Sequence, residues 1–239
     1  RIGCERPLAV GRDADRRDPV LARIGCGEHM GCGGTADVVF SGLPAEQHHQ
    51  VDALTAHIAT VPFHGMRLLA SQIAQATGGR LAGPDVDVDG ASFDSRTTRP
   101  GQLFVPIVAE RDGHDFIDAA VAAGAAAYLT TEEPAVEGTS IEVLDTAEAL
   151  MMLAAWARSR LDIPVVGITG SVGKTSTKDL TAASLSATRR VTANERSFNN
   201  EQGLPVTILG TPADAQVLVV EMGMRGFGEI ARLCRTANP

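Results

Sequence analysis

The stretch from Pro164 to Leu180, PVVGITGSVGKTSTKDL, limits the fold more than any other part of the chain. An apolar run ends in a glycine-bearing turn, and a helical segment KTSTKDLTAASLSA follows directly. A buried strand feeding a helix in this way is half of a strand–helix–strand unit, and such units build parallel sheets covered on both faces. The rest of the chain keeps the alternation: a short strand RVTA, a polar loop NERSFNNEQGLP, an apolar strand QVLVVEMG and a helix GEIARLCRTA. The turn itself is suited to phosphate. Its successive backbone N–H groups point inward, and the following helix N-terminus adds partial positive charge. Gly170 and Gly173 allow close approach of an oxygen atom. Lys174 is placed to neutralise a β- or γ-phosphate, and Thr175 offers a hydroxyl to magnesium. Strict Walker spacing wants glycine where Ile168 stands, so the pattern is a compact Gly-x-x-Gly-Lys-Thr.

Upstream, the periodicity predicts a helix over MRLLASQIAQATGG, with Leu68, Leu69, Ile73 and Ala76 on one face and a stop at Gly78-Gly79. DVDVDGASF alternates as a half-buried strand does. It also imitates the start of a calcium loop through Asp85, Asp87, Asp89 and Gly90, but Arg96 stands where a bidentate glutamate is needed, so calcium is rejected. QLFVPIV, HDFIDAAVAAG and AAAYLT read as a strand–helix–strand unit, and IEVLD as a further strand. Asp145 is placed to cap the next helix, with Glu148 three residues on, and that helix buries Leu150, Leu153, Ala157 and Leu161.

Composition narrows the function. A formal charge of −8 argues against nucleic acid, whose phosphates need a basic face. No run is long and apolar enough to span a bilayer, nothing at the start resembles a signal peptide, and the 4 cysteines are irregularly spaced. A cytoplasmic protein is expected. Residues 1–65 differ from the rest, being rich in Gly and Arg and without sustained periodicity, and are expected to be a poorly ordered leader of unknown role. Within them Cys26, His29 and Cys32 fit no standard zinc spacing. Cys234 falls on the apolar face of the last helix and is expected in the core.

The loop GITGSVGKTST resembles the ATP loop of the Mur ligase family, which builds the peptide stem of peptidoglycan by ATP-driven amide bond formation. LLASQIAQATGGRLAG resembles the opening of one family member, and SFDSRTTRPGQLFVPIVAERDGHDFIDAAVAAGAAAYL is similar to that member's uridine-nucleotide-binding domain. SFNNEQGLPVTIL and VVEMGMRGFGEIARL resemble the branch that adds D-alanyl-D-alanine. The likeness covers about residues 66–239 and implies a small mixed α/β domain over 66–162, binding the UDP substrate. The first part of a P-loop parallel-sheet ATPase domain then follows over 163–239. ATP is assigned to Gly170, Ser171, Val172, Gly173, Lys174, Thr175 and Ser176, and magnesium to Thr175 and Glu221. Glu221 ends an apolar strand at the carboxyl edge of a parallel sheet, where such folds place ligands. Ser95 and Arg96 match the family's diphosphate-binding turn, although an Asp-capped surface turn is a serious competitor. Asn199 and Asn200 either orient the acceptor carboxylate or nearby sugar or serve left-handed turn geometry, and His114 is read as a helix cap.

The implied substrates are UDP-N-acetylmuramoyl-tripeptide and D-alanyl-D-alanine, joined through an acyl phosphate by a monomeric enzyme with Lys174 and Glu221 as its catalytic groups. The chain starts at Arg1 rather than Met and ends at TANP after an apparent helix, so both ends read as cut and Met66 as a candidate start. On that reading the chain has no ligase turnover alone. Two rival readings are a non-catalytic uridine-nucleotide-binding module and an unrelated P-loop NTPase.

Overall fold

The computed structural model describes residues 65–134, 136–195 and 198–239. The leader and its Cys26, His29 and Cys32 therefore lie outside the described residues, apart from Gly65.

The first element corrects an expectation. Leu68 and Leu69 belong to a strand, β1 (Arg67–Leu69), and helix α1 (Ala70–Thr77) starts only after them. β1 pairs antiparallel with β3 (Asp87–Asp89), which follows β2 (Arg80–Ala82), and sets buried Leu68 opposite buried Val88. Inter-strand pairing overrides the helical period here, and Asp85 marks the boundary by accepting from both Ser71 N–H and Ser71 Oγ at the first turn of α1. Ile73 lies fully buried on the helix face, whereas Leu69 is exposed. The helix closes at Gly78, as expected.

A larger sheet has the order β2-β7-β6-β5-β4. Its strands β4 (Ala91–Ser92), β5 (Leu103–Phe104), β6 (Ala127–Thr130) and β7 (Thr139–Glu142) run parallel, and β2 pairs antiparallel with β7, so the sheet is mixed. The expected strand over DVDVDGASF is thus divided between β3 and β4, which lie in different sheets on either side of Gly90. A 3-10 turn (Gly113–Phe116) and α2 (Ile117–Ala122) connect β5 to β6. His114 lies inside that turn and does not cap it. Asp112 does so, accepting from His114 N–H at 2.9 Å and from the ring Nδ1–H at 2.6 Å, while Nε2 accepts from Thr131 N–H.

Helix α3 (Thr146–Arg158) follows, capped by Asp145, whose side chain accepts from Glu148 N–H at 2.9 Å. Leu150, Leu153 and Ala157 are buried as expected, while Leu161 lies beyond the helix end and is only half-buried. The alanines of α3 let neighbours approach from both sides. Next come β8 (Val165–Ile168), α4 (Lys174–Ser186), β9 (Val191–Ala193), α5 (Gly203–Leu209), β10 (Val217–Glu221) and α6 (Glu229–Ala237). Helix α1 packs on one side of α3, and α5 and α6 also pack against it, so one apolar core runs from the mixed sheet into the second sheet.

That second sheet is parallel, in the order β8-β10-β9, with all of β10 buried at its centre. Helix α5 falls partly within the stretch expected to be a polar loop. Its residues Gly203, Leu204, Pro205, Thr207, Ile208 and Leu209 are all buried, so no amphipathic period marks it. Pro205 stands in the first turn, where the missing N–H costs nothing. Arg158 fastens the junction: its guanidinium donates to the carbonyls of Ala237 at 2.8 Å, Leu161 at 2.7 Å and Asn238 at 3.1 Å. Cys234 is half-buried beside Met222, against the core. No described helix is long and apolar enough to cross a membrane.

Candidate nucleotide site

Strand β8 delivers the chain to the phosphate loop at the carboxyl end of the sheet. Gly170 and Gly173 both take positive φ, at 153° and 77°, conformations that other residues adopt only with strain. Gly173 forms the N-cap of α4, leaving the helix's first N–H groups facing the loop. Ser171, Val172, Thr175 and Ser176 are exposed around it, and Val172 stands almost free of neighbours at 88% exposure. The Lys174 ammonium donates to the Gly170 carbonyl at 2.8 Å, reaching back across the loop.

Glu221 is next to this loop by register. Strand β10 pairs in parallel with β8, setting Glu221 opposite Ile168, and Met222 N–H donates to the Ile168 carbonyl at 2.8 Å. Glu221 is not the solvated strand-end residue that its position allows, for it is 1% exposed. One carboxylate oxygen, Oε1, accepts from the Asn199 side-chain amide at 2.7 Å. The other, Oε2, is buried without a protein partner. An orphaned buried carboxylate oxygen is costly, and a hard cation with oxygen ligands is the usual way to satisfy one. The donor chemistry of Glu221 and Thr175 therefore fits magnesium.

The two asparagines have separate tasks. Asn199 holds Glu221, while Asn200 Oδ1 accepts from Gly203 N–H at 2.9 Å and Gln202 N–H at 3.3 Å at the start of α5. Neither is left-handed, since Asn238 is the only non-glycine with positive φ among the described residues. Ser95 and Arg96 lie in the turn after β4, where Arg96 grips Asp94 with Nε at 2.9 Å and Nη2 at 2.6 Å. That side-chain hydrogen bond, aided by the Arg96 backbone N–H and opposed by burial, sets the Asp94 carboxyl below its ordinary value. Phe93 and Phe198 meet with ring centroids 5.6 Å apart, so the turn bearing Arg96 and the loop bearing Asn199 adjoin.

Reading the residues alone missed Asn194 and Lys178. Asn194 Oδ1 accepts from Glu221 N–H at 2.6 Å, and the Lys178 ammonium donates to the Asn194 carbonyl at 2.8 Å. A helical lysine and a loop asparagine look solvated in sequence. The helical spacing of Lys178 behind Lys174 was the available signal.

The chain presents a compact glycine loop on a parallel sheet with a buried carboxylate ending the neighbouring strand, and it belongs to the Mur ligase family. Residues 168–239 match the family model described as the Mur ligase middle domain. The chain is 41% identical over 174 residues to the UDP-N-acetylmuramoyl-tripeptide–D-alanyl-D-alanine ligase of Bacillus subtilis, covering 70% of this chain and 38% of that one. A crystal structure of MurF from Acinetobacter baumannii is similar at a TM-score of 0.68 and 29% identity, over 75% of this chain and 40% of that one. MurF ligase from Thermotoga maritima in complex with ADP is similar at 0.55 and 34% identity, over 62% and 35%. The chain thus spans about two fifths of the length of these relatives.

Proposed function

We propose that this chain serves an ATP-dependent amide ligase that joins D-alanyl-D-alanine to UDP-N-acetylmuramoyl-tripeptide in peptidoglycan synthesis. The observation that carries the reading is the unpartnered Oε2 of buried Glu221, one strand across from the phosphate loop. Residues Gly170–Ser176 hold the phosphates of ATP through main-chain N–H groups. Lys174 exchanges the Gly170 carbonyl for a phosphate oxygen. Thr175 and Glu221 hold magnesium, which supplies charge neutralisation for phosphoryl transfer. The terminal carboxylate of the tripeptide takes the γ-phosphoryl group as ADP leaves, the neutral dipeptide amine attacks the resulting acyl phosphate and gives up a proton, and phosphate leaves with the former carboxylate oxygen. Such a transfer needs alignment and charge stabilisation rather than a covalent enzyme intermediate.

Ser95 and Arg96 take the diphosphate of the uridine nucleotide. The Arg96 side chain is 85% exposed, and an exposed pair such as that with Asp94 gives way readily to a doubly charged partner. The Phe93–Phe198 contact supports placing that nucleotide beside the Asn199 loop.

Calorimetry on the chain separates the readings. Binding of both a magnesium–adenine nucleotide and UDP-N-acetylmuramoyl-tripeptide is expected, with the former weakened about tenfold or more by Lys174→Ala. Binding of the uridine nucleotide alone marks a non-catalytic module. ATP hydrolysis indifferent to the muramoyl peptide marks an unrelated NTPase.

A further inference from the structure

Lys178 follows Lys174 by one helical turn, so the two share a face of α4, yet its side chain is only 4% exposed. A buried ammonium is costly to desolvate, and methionine or leucine would fill similar space without that cost. Its bonds suggest what it does there. The ammonium donates to the Asn194 main-chain carbonyl at 2.8 Å and pairs with Asp179 Oδ1 at 3.0 Å. Asn194, itself 2% exposed, then reaches both Glu221 and Phe198. Its Oδ1 accepts from Glu221 N–H at 2.6 Å, and its Nδ2 donates to the Phe198 carbonyl at 2.5 Å. The next residue, Asn199, donates to Glu221 Oε1 at 2.7 Å and accepts from Gly223 N–H at 2.8 Å through its carbonyl. Asn194 and Asn199 therefore bracket Glu221 at its main chain and its carboxylate, and Asn194 is held to α4 by Lys178.

We propose that Lys178 is a positioning residue that couples the phosphate-loop helix to Glu221 through Asn194 and Asn199, and so fixes the aim of the carboxylate oxygen at a magnesium–nucleotide complex. The helix that presents Lys174 and Thr175 and the strand that presents Glu221 are thereby set in one register. The inference rests on the magnesium–nucleotide reading of the site, and its test keeps the two apart.

The measurement is the ratio of ADP affinities with magnesium and with EDTA, by calorimetry, on the wild-type chain, Lys178→Met and Asn194→Ala, each checked for a cooperative thermal transition. The wild type is expected to bind ADP more tightly with magnesium. Each variant is expected to lose about fivefold or more of that ratio while keeping its EDTA affinity within about twofold. A residue that only supports the fold would lower both affinities together or neither. A wild type without a magnesium effect defeats the magnesium reading and this inference with it. A wild-type effect kept intact in the folded variants defeats the role of Lys178 alone. Either folded variant decides the matter, and failure of both to fold would overturn the proposal by reducing the pair to a requirement of the fold.

Discussion

The side-chain amide of Asn199 donates to one oxygen of Glu221 at 2.7 Å, and the other oxygen of the same carboxylate is buried with no protein partner. One donor thus orients the group and leaves its second oxygen directed to something other than protein. Such an arrangement costs stability in the absence of a ligand and gives affinity in its presence.

Glu221→Gln separates these two effects. The amide keeps an acceptor for Asn199 and removes the buried charge, so the melting temperature without magnesium is expected to hold or rise, corresponding to about 1 kcal/mol at most. The magnesium effect on ADP binding is expected to disappear. A clear drop in melting temperature together with an intact magnesium effect would count against the assignment of Glu221.

Gly173→Ala tests the loop's backbone. No atom lies within 4 Å of the position an added Cβ would take, so the penalty comes from the positive φ alone. A loss of about 1 kcal/mol is expected in denaturant unfolding, and Gly173→Asn is expected to lose less because asparagine tolerates this region better.

Arg158→Met tests the junction. The side chain serves carbonyls at the end of α6 and in the segment after α3, and burial pulls its guanidinium below the usual arginine range. Removing it leaves several partly buried carbonyls without donors, so a loss of about 2 kcal/mol is expected. Chemical denaturation measures it, and a loss no greater than that of an ordinary surface substitution would argue against the fastening role.

Arg96→Ala tests the turn after β4 through pH. The Arg96 side chain lowers the Asp94 carboxyl from its ordinary 3.8. A folded-state value below the unfolded one adds stability that is present above the unfolded value and lost as pH falls through the folded one. The variant is therefore expected to melt below the wild type from neutral pH down to about pH 4, and the two curves to converge on further acidification. Parallel curves throughout the acid range would contradict the pairing.

Much of the fold was legible in the residues because the signals were local. The strand–turn–helix at Pro164–Leu180, the capped helix after Asp145 and the apolar run ending at Glu221 all appear where their patterns place them. The errors share a physical cause. Leu68 and Leu69 fit a helical face, but pairing of their strand with Asp87–Asp89 was a long-range choice. Helix α5 is buried on every side, so its sequence lacks the polar face that would have marked it.

By itself, the sequence determined the phosphate loop, its flanking strand and helix, and the carboxylate at a strand end, because those depend on residue type and short spacing. Tertiary structure decided what they do to one another. Strand order placed Glu221 beside Ile168, and brought Asn194 to its main chain and Asn199 to its carboxylate. Burial then turned Lys178 from an apparent surface charge into the donor that holds the Asn194 carbonyl, since only packing across α4, β9 and β10 determines which polar atoms lose water and must find partners.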